Sequence, residues 1–245
     1  YCAVPGLDER KTRYRSAAHV VAEIAELKRR WQIPYLFFHD SVFTLHKKRT
    51  LEICRLMVEQ ELQLPFCIQT RADRIDQEIL DALLAAGLHQ VFFGIESGDA
   101  DSLRQIRKAT PLAQIREAVA LTRAAGVRTS GFFMVGWPWE DAALMQKTAL
   151  FATSLDLDAI SLFSATPLPG TELWDLADQQ LLPESIDFRK PQVNLTTMSP
   201  ETYAAVFADV KSQVDAYHQD RMMAHLPEAV RVAWMNLPDA HQDGA

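Results

Sequence analysis

Asp40, Arg71 and Glu96 stand where apolar runs turn polar: YLFFHD ends on Asp40, FCIQTRA passes through Arg71, and QVFFGIES carries Glu96. Two more runs end the same way, at Gly136-Trp137-Pro138-Trp139-Glu140 and at Ser164-Ala165-Thr166-Pro167. Two carboxylates and a guanidinium can accept hydrogen bonds from an ammonium or a hydroxyl, hold a carboxylate, or work as an acid and a base. Solvated strand ends would show the same residue types. The apolar approach to each charge, with little turn chemistry between, favours a site.

Other chemistries find little support. Cys54, in LEICRLM, shares a helical stretch with Ile53 and Met57 and is expected to be packing. Cys67 would lie about 13 Å below Arg71 on the same strand face, at about 3.3 Å per residue, and is expected to fill the core. Cys2, Cys54 and Cys67 together lack the spacing of a zinc or cluster site. In a regular strand His39 points away from Asp40, which makes it structural. There is no GxGxxG or GxxxxGKS/T run and no GxSxG elbow, so dinucleotide, P-loop and hydrolase-triad readings fall away.

The positioning elements follow from periodicity. Apolar runs at 35–40, 66–72, 90–97, 129–136 and 159–166 alternate with amphipathic stretches at 17–31, 46–62, 76–86, 112–125 and 140–155. That alternation predicts βα units around a parallel sheet, whose strand ends emerge on one face. Asp40 then shares a strand face with Phe38, Arg71 with Gln69, and Glu96 with Gly94. Val20, Ile24, Leu27 and Trp31 predict one buried stripe on the first helix. Gly87 and Gly126 follow Ala-Ala pairs and read as helix stops. Gly94, Gly98, Gly136 and Gly170 sit near strand ends, where backbone could approach a ligand, although tight turns would ask for the same residues.

Past Gly170 the repeat fades into a segment at 173–181 and a loop through Pro191. Ser199-Pro200-Glu201 then opens a helix whose Tyr203, Val206, Phe207, Val210, Val214 and Tyr217 are expected to pack on the body. The pattern weakens over 226–245, and the final HQDGA is expected to fray.

The whole chain has 245 residues, 48% of them hydrophobic and 23% charged, the balance of an ordinary globular protein. A net charge of −7 argues against general nucleic-acid binding; no apolar run reaches bilayer length, and no charged-then-apolar start marks a signal peptide. With three cysteines and no disulfide framework, a cytoplasmic setting is expected. The chain starts with Tyr1-Cys2 rather than Met, which suggests a piece of a longer protein.

Taken in order, the fragments YCAVPG, RYRS, FFHDSVFT, TRAD, AAG, VFFGIESGD, the Lys ending LRQIRK, GFFMVGWPWE and PLPGTELW resemble the radical S-adenosylmethionine superfamily, especially its cobalamin-associated group. The resemblance covers about residues 1–182. It implies an α/β fold, a partial (β/α)6 TIM-type barrel without its first strand, followed by a C-terminal helical extension over 183–245. It also implies a 4Fe-4S cluster and S-adenosylmethionine at the barrel mouth. Cys2 would be the third cysteine of the family's CxxxCxxC motif and Tyr1 the aromatic residue beside the adenine, with the other two cysteines upstream. One thiolate cannot hold such a cluster, so this piece alone is expected to be inactive.

By the same resemblance, Asp40 would accept from the ammonium of S-adenosylmethionine, while Arg71 and Glu96 would lie near its carboxylate and ribose. Met134, Val135 and Gly136 would cover the adenine, together with Pro167 and Leu168. The implied chemistry is reductive cleavage to a 5′-deoxyadenosyl radical, with electrons from a donor such as flavodoxin or ferredoxin. The substrate, a small molecule or a peptide, is not identified. Cobalamin-assisted methylation is a further expectation, with the cobalamin held by an upstream domain. The alternatives are a non-radical barrel lyase or aldolase using Asp40 and Glu96, and a non-catalytic binding module.

Overall fold

The computed structural model describes residues 12–108, 110–177, 187 and 189–225. Tyr1, Cys2, residues 178–181 of the segment after Gly170 and the expected frayed end lie outside the described residues. The chain runs α1 (Ala17–Trp31), β1 (Leu36–Phe38), α2 (Lys47–Glu59), β2 (Phe66–Arg71), α3 (Gln77–Ala86), β3 (Leu88–Glu96), α4 (Ala100–Gln105), α5 (Leu112–Ala124), β4 (Arg128–Val135), α6 (Ala142–Thr153), β5 (Ala159–Ser164), α7 (Glu172–Leu176) and α8 (Pro200–His225). Short 3-10 turns follow β1 at Phe43–Leu45 and β2 at Ala72–Arg74.

All five strands are parallel and pair in chain order, β1-β2-β3-β4-β5. A doubly wound sheet reverses its order at a switch point; an unbroken order is the arrangement of a barrel wall. The burial pattern agrees. Phe38, Ile68, Val91, Phe93, Ile95, Phe133, Val135 and Leu162 are buried in one continuous core with residues of the helices, while Phe37, Gln69, Phe92, Phe132, Met134 and Phe163 on the opposite face are only half-buried. One face is sealed by helices and the other opens.

Local signals set the helix ends. Ser16, Asp76, Asp99, Asp141 and Thr171 accept from backbone N–H groups in the first turns of α1, α3, α4, α6 and α7. Trp31 departs from the expected stripe. Gln32 turns left-handed at the end of α1, and Trp31 is 67% exposed with the Arg30 guanidinium over its ring. The buried stripe is instead Ala17, Val20, Val21 and Ile24.

Gly98 is a packing glycine. A Cβ there would meet Phe151 Cβ at 2.5 Å, Lys147 O at 2.8 Å and Thr148 Cα at 2.9 Å, so the β3–α4 turn lies directly on α6. Two of those atoms are backbone and cannot swing away. Gly98→Ala is expected to lower stability by about 2 kcal/mol through overpacking, read from the urea midpoint. An unchanged midpoint would mean the turn is looser than described.

Helix α8 packs on α6 and β5. Tyr203, Phe207, Val210 and Val214 are buried, each burial contributing roughly 1.5–3 kcal/mol. Its His218 Nε2 accepts from Ile160 N–H at 2.7 Å, and its Tyr217 hydroxyl donates to Leu157 O at 2.7 Å. This helix therefore covers the outer edge of β5. Among the described residues, no helix is long and apolar enough to cross a membrane.

Candidate functional site

The open face carries a ladder of rings across four strands. Phe37 and Phe92 have centroids 5.5 Å apart, Phe92 stacks on Phe132 at 5.7 Å, and Phe132 lies 6.1 Å from Phe163. Such a surface accepts a flat or apolar group. Toward the C-terminal strand ends, polar residues replace the rings.

The densest polar group bridges β2 and β3. Arg71 donates to both oxygens of Asp73, at 2.8 and 2.9 Å, and to Lys108 O at 3.3 Å. Burial alone would raise the Asp73 carboxyl, but the guanidinium outweighs it and holds Asp73 below its ordinary range. Lys108 donates to Glu96 Oε1 at 2.8 Å, with side chains only 7% and 12% exposed. Glu96 sits at φ +74°, where the β3–β4 register shifts, and the pair lies over Gly94, whose missing side chain leaves it room. A non-glycine residue held in left-handed backbone at a sheet bulge is local strain of the kind that gathers at functional sites.

At the end of β1, Asp40 is exposed, with Oδ1 3.8 Å from Arg49 Nη1 of α2. The alternation is the expected one, but the face that opens is not. Phe38 turns into the helix-facing core against Phe43 and Phe66, while Phe37 faces the opening with His39 against it at 4.5 Å. His39 therefore shares the open face, and Asp40 lies beyond the last paired residue, where strand parity no longer fixes its direction.

The β4–α6 turn is built around a buried acid. Glu140, 1% exposed, accepts through Oε2 from Gly136 N–H at 2.7 Å and Trp137 N–H at 3.2 Å, while its Oε1 has no hydrogen-bond partner among the described residues. Burial pushes its carboxyl up to about 7, against the pull of the two N–H groups and with help from Asp99 and Asp141. Trp137 and Trp139 stack at 5.7 Å and 4°, and Trp139 Nε1 donates to Ser102 Oγ at 2.9 Å. Gly136 has φ +88°, and the Tyr203 ring and hydroxyl from α8 press where its side chain would be. That hydroxyl also shares a 2.8 Å hydrogen bond with Ser164 at the end of β5.

Of the residues expected to cover an adenine, Met134 is on the open face, Val135 is fully buried on the helix-facing side and offers only backbone, and Gly136 begins the turn. Pro167 is buried and Leu168 half-buried, with Leu168 O accepting from Thr171 at the start of α7. Tyr1 and Cys2 lie outside the described residues. Cys54 and Cys67 are buried, and burial raises both thiols, Cys54 to about 12. Among the described residues there is no group of three or more His, Cys, Asp or Glu that could hold a metal. Sequence reasoning singled out Lys108 only as the Lys ending LRQIRK, without its pairing to Glu96, and missed Asp73 as the partner of Arg71 and Tyr203 behind Gly136. Only the Arg71/Asp73 pair, two residues apart, was accessible from spacing.

The comparisons with known proteins identify the family and the fold. The profile of the Radical SAM superfamily matches residues 1–152, and the chain belongs to that superfamily. It is 31% identical over 191 residues to an uncharacterised methyltransferase of Pyrococcus horikoshii, a match covering 78% of this chain and 41% of the relative. It is 28% identical over 195 residues to the anaerobic magnesium-protoporphyrin IX monomethyl ester cyclase of Rubrivivax gelatinosus, covering 78% of this chain and 35% of the relative. The radical S-adenosylmethionine methyltransferase TsrM of Kitasatospora setae, solved with cobalamin and a [4Fe-4S] cluster, superposes with a TM-score of 0.63 at 22% identity, over 67% of this chain and 34% of that one. This likeness shows the fold, a partial barrel. The chain spans less than half the length of the curated relatives it matches.

Proposed function

We propose that this chain forms the S-adenosylmethionine-binding barrel of a radical enzyme whose whole protein also carries a 4Fe-4S cluster and modifies its substrate with help from cobalamin. The observation that supports the reading is the Arg71/Asp73 and Glu96/Lys108 pairs at the C-terminal ends of β2 and β3, next to the Phe37–Phe92–Phe132–Phe163 ladder, with the exposed Asp40 following the neighbouring β1. These donors suit a zwitterionic nucleoside: acceptors for an ammonium and hydroxyls, cations for a carboxylate, and rings for a flat base.

In this reading Asp40 accepts from the ammonium, Arg71 faces the carboxylate, Glu96 accepts from the ribose, and Met134 with the Gly136, Pro167 and Leu168 backbone closes on the base. The described thiols do not fit the cluster, because Cys54 and Cys67 are buried in unfavourable surroundings. Cys2, which lies outside the described residues, is the thiol proposed as one ligand, with Tyr1 beside the adenine. When bound, S-adenosylmethionine supplies a sulfonium whose one-electron reduction breaks a carbon–sulfur bond. The protein's part is to orient that group and exclude water from it. Cobalamin enters the proposal because the superposing methyltransferase was solved with it.

The test is anaerobic iron and sulfide quantitation on the full-length protein, with calorimetric titration of S-adenosylmethionine. About four irons per chain and saturable binding are expected. Asp40→Asn and Glu96→Gln are each expected to weaken binding about tenfold or more, the loss of a charge-assisted hydrogen bond. A protein with neither iron nor binding after reconstitution would favour the acid–base barrel or the non-catalytic module.

A further inference from the structure

We infer that Tyr203, on the C-terminal helix α8, is a positioning residue for the β4–α6 turn, so that α8 sets the backbone of Gly136 that meets the ligand. The ligand half of this inference rests on the S-adenosylmethionine reading above.

Three observations carry it. Tyr203 is 1% exposed, and its phenol fills the space a Gly136 side chain would take, so the ring packs directly against the turn whose φ of +88° glycine permits. Its hydroxyl is tied at 2.8 Å to Ser164, which ends β5 and is itself 1% exposed, so the ring is fixed relative to two neighbouring strands. At the same backbone, Glu140 takes the Gly136 and Trp137 N–H groups at 2.7 and 3.2 Å. The first residues beyond β4 are thus held both by a carboxyl of the β4–α6 turn and by a phenol belonging to α8. A helix meant only to cover apolar surface would need no hydroxyl at this depth, where a buried polar group costs free energy unless it is paired. Phenylalanine would serve that purpose.

The clamp has a built-in reporter. Trp137 and Trp139 stack at 5.7 Å and 4° within the gripped turn, and stacked indoles give a circular dichroism signal that depends on their mutual geometry. The experiment compares Tyr203→Phe with Val210→Ala in the full-length protein. Val210 is fully buried on the same helix, about two turns beyond Tyr203, so its truncation loosens α8 while leaving the Tyr203 phenol in place.

Tyr203→Phe is expected to alter the near-ultraviolet signal of the tryptophan pair and to weaken S-adenosylmethionine binding about 3- to 10-fold, the effect of one buried hydrogen bond on a binding surface. Val210→Ala is expected to lower the melting temperature while leaving both readouts at wild-type values. If Tyr203→Phe leaves both unchanged, or if Val210→Ala shifts them equally, Tyr203 is packing and the inference falls. If the wild type binds no S-adenosylmethionine while Tyr203→Phe still changes the tryptophan signal and Val210→Ala does not, the clamp stands and the ligand reading is what fails.

Discussion

Glu140→Gln should flatten part of the pH dependence of stability, because the wild-type carboxyl titrates differently in the folded and unfolded chains. Its ordinary value is 4.5, and burial pushes it up to about 7 in the fold. Between those values the unfolded chain has released the proton and the folded chain still holds it. The unfolded state therefore binds fewer protons, and stability from this group falls as pH rises. Its contribution is complete below pH 4.5 and lost by pH 7. At about 1.4 kcal/mol per pKa unit, the swing is on the order of 3 kcal/mol.

Other carboxylates act in the opposite direction. Asp73, Asp76, Asp99 and Asp158 are all held low and add stability as pH rises. The wild-type curve by itself is thus a sum of both kinds. The difference between wild type and Glu140→Gln isolates the one group: urea midpoints at pH 4.5 and 8 should move in the variant's favour by about 3 kcal/mol across that span. Parallel curves would show that the acid is more hydrated than its 1% exposure implies.

Lys108→Met should be the most destabilising single change in the site, costing about 4 kcal/mol in chemical denaturation. The pair it breaks is nearly dry, with side chains 7% and 12% exposed, and removing the ammonium takes a counter-charge from a buried carboxylate. The second half of the prediction distinguishes charge from shape. The double variant Glu96→Gln/Lys108→Met should recover most of the loss, since replacing both ions of a buried pair is often close to neutral. A double variant as unstable as the single one would trace the loss to the packing of the Lys108 side chain rather than to the broken charge pair.

Much of the architecture was legible in the sequence. Short β-branched and aromatic runs separated by amphipathic stretches are characteristic of parallel βα units, and five strands were found within a few residues of their observed bounds. Gly87 and Gly126 take the left-handed backbone that their place after Ala-Ala pairs implied. The polar strand ends were legible for a related reason: a charge directly after a buried run has nowhere to go but the mouth. What failed was local. Strand parity placed His39 opposite Phe38, as observed, but the face it shares with Phe37 is the open one, and one three-residue strand gives no signal of which face the helices will cover. The short α4 was not foreseen, since six residues give too little periodicity to detect, and yet it leads to Lys108. Tyr203 was expected to pack on the body, as it does; its second role depends on a contact with Gly136 across 67 positions, and no one-dimensional pattern encodes such a contact.

The hydrogen bond from Ile160 to His218 has a further consequence for how this barrel wall survives in a crowded solution. An open β-edge is a template on which another extended chain can crystallise, and proteins with unclosed sheets must blunt it. Here the blunting is done by a side chain of α8 that occupies an edge N–H, backed by a helix lying along the strand. The C-terminal helix is therefore also a guard against fibrillar growth. A chain cut before residue 200 would expose the β5 edge together with the apolar surface beneath Phe207 and Val210, and such a fragment would be a seed for aggregation rather than a smaller version of the same fold.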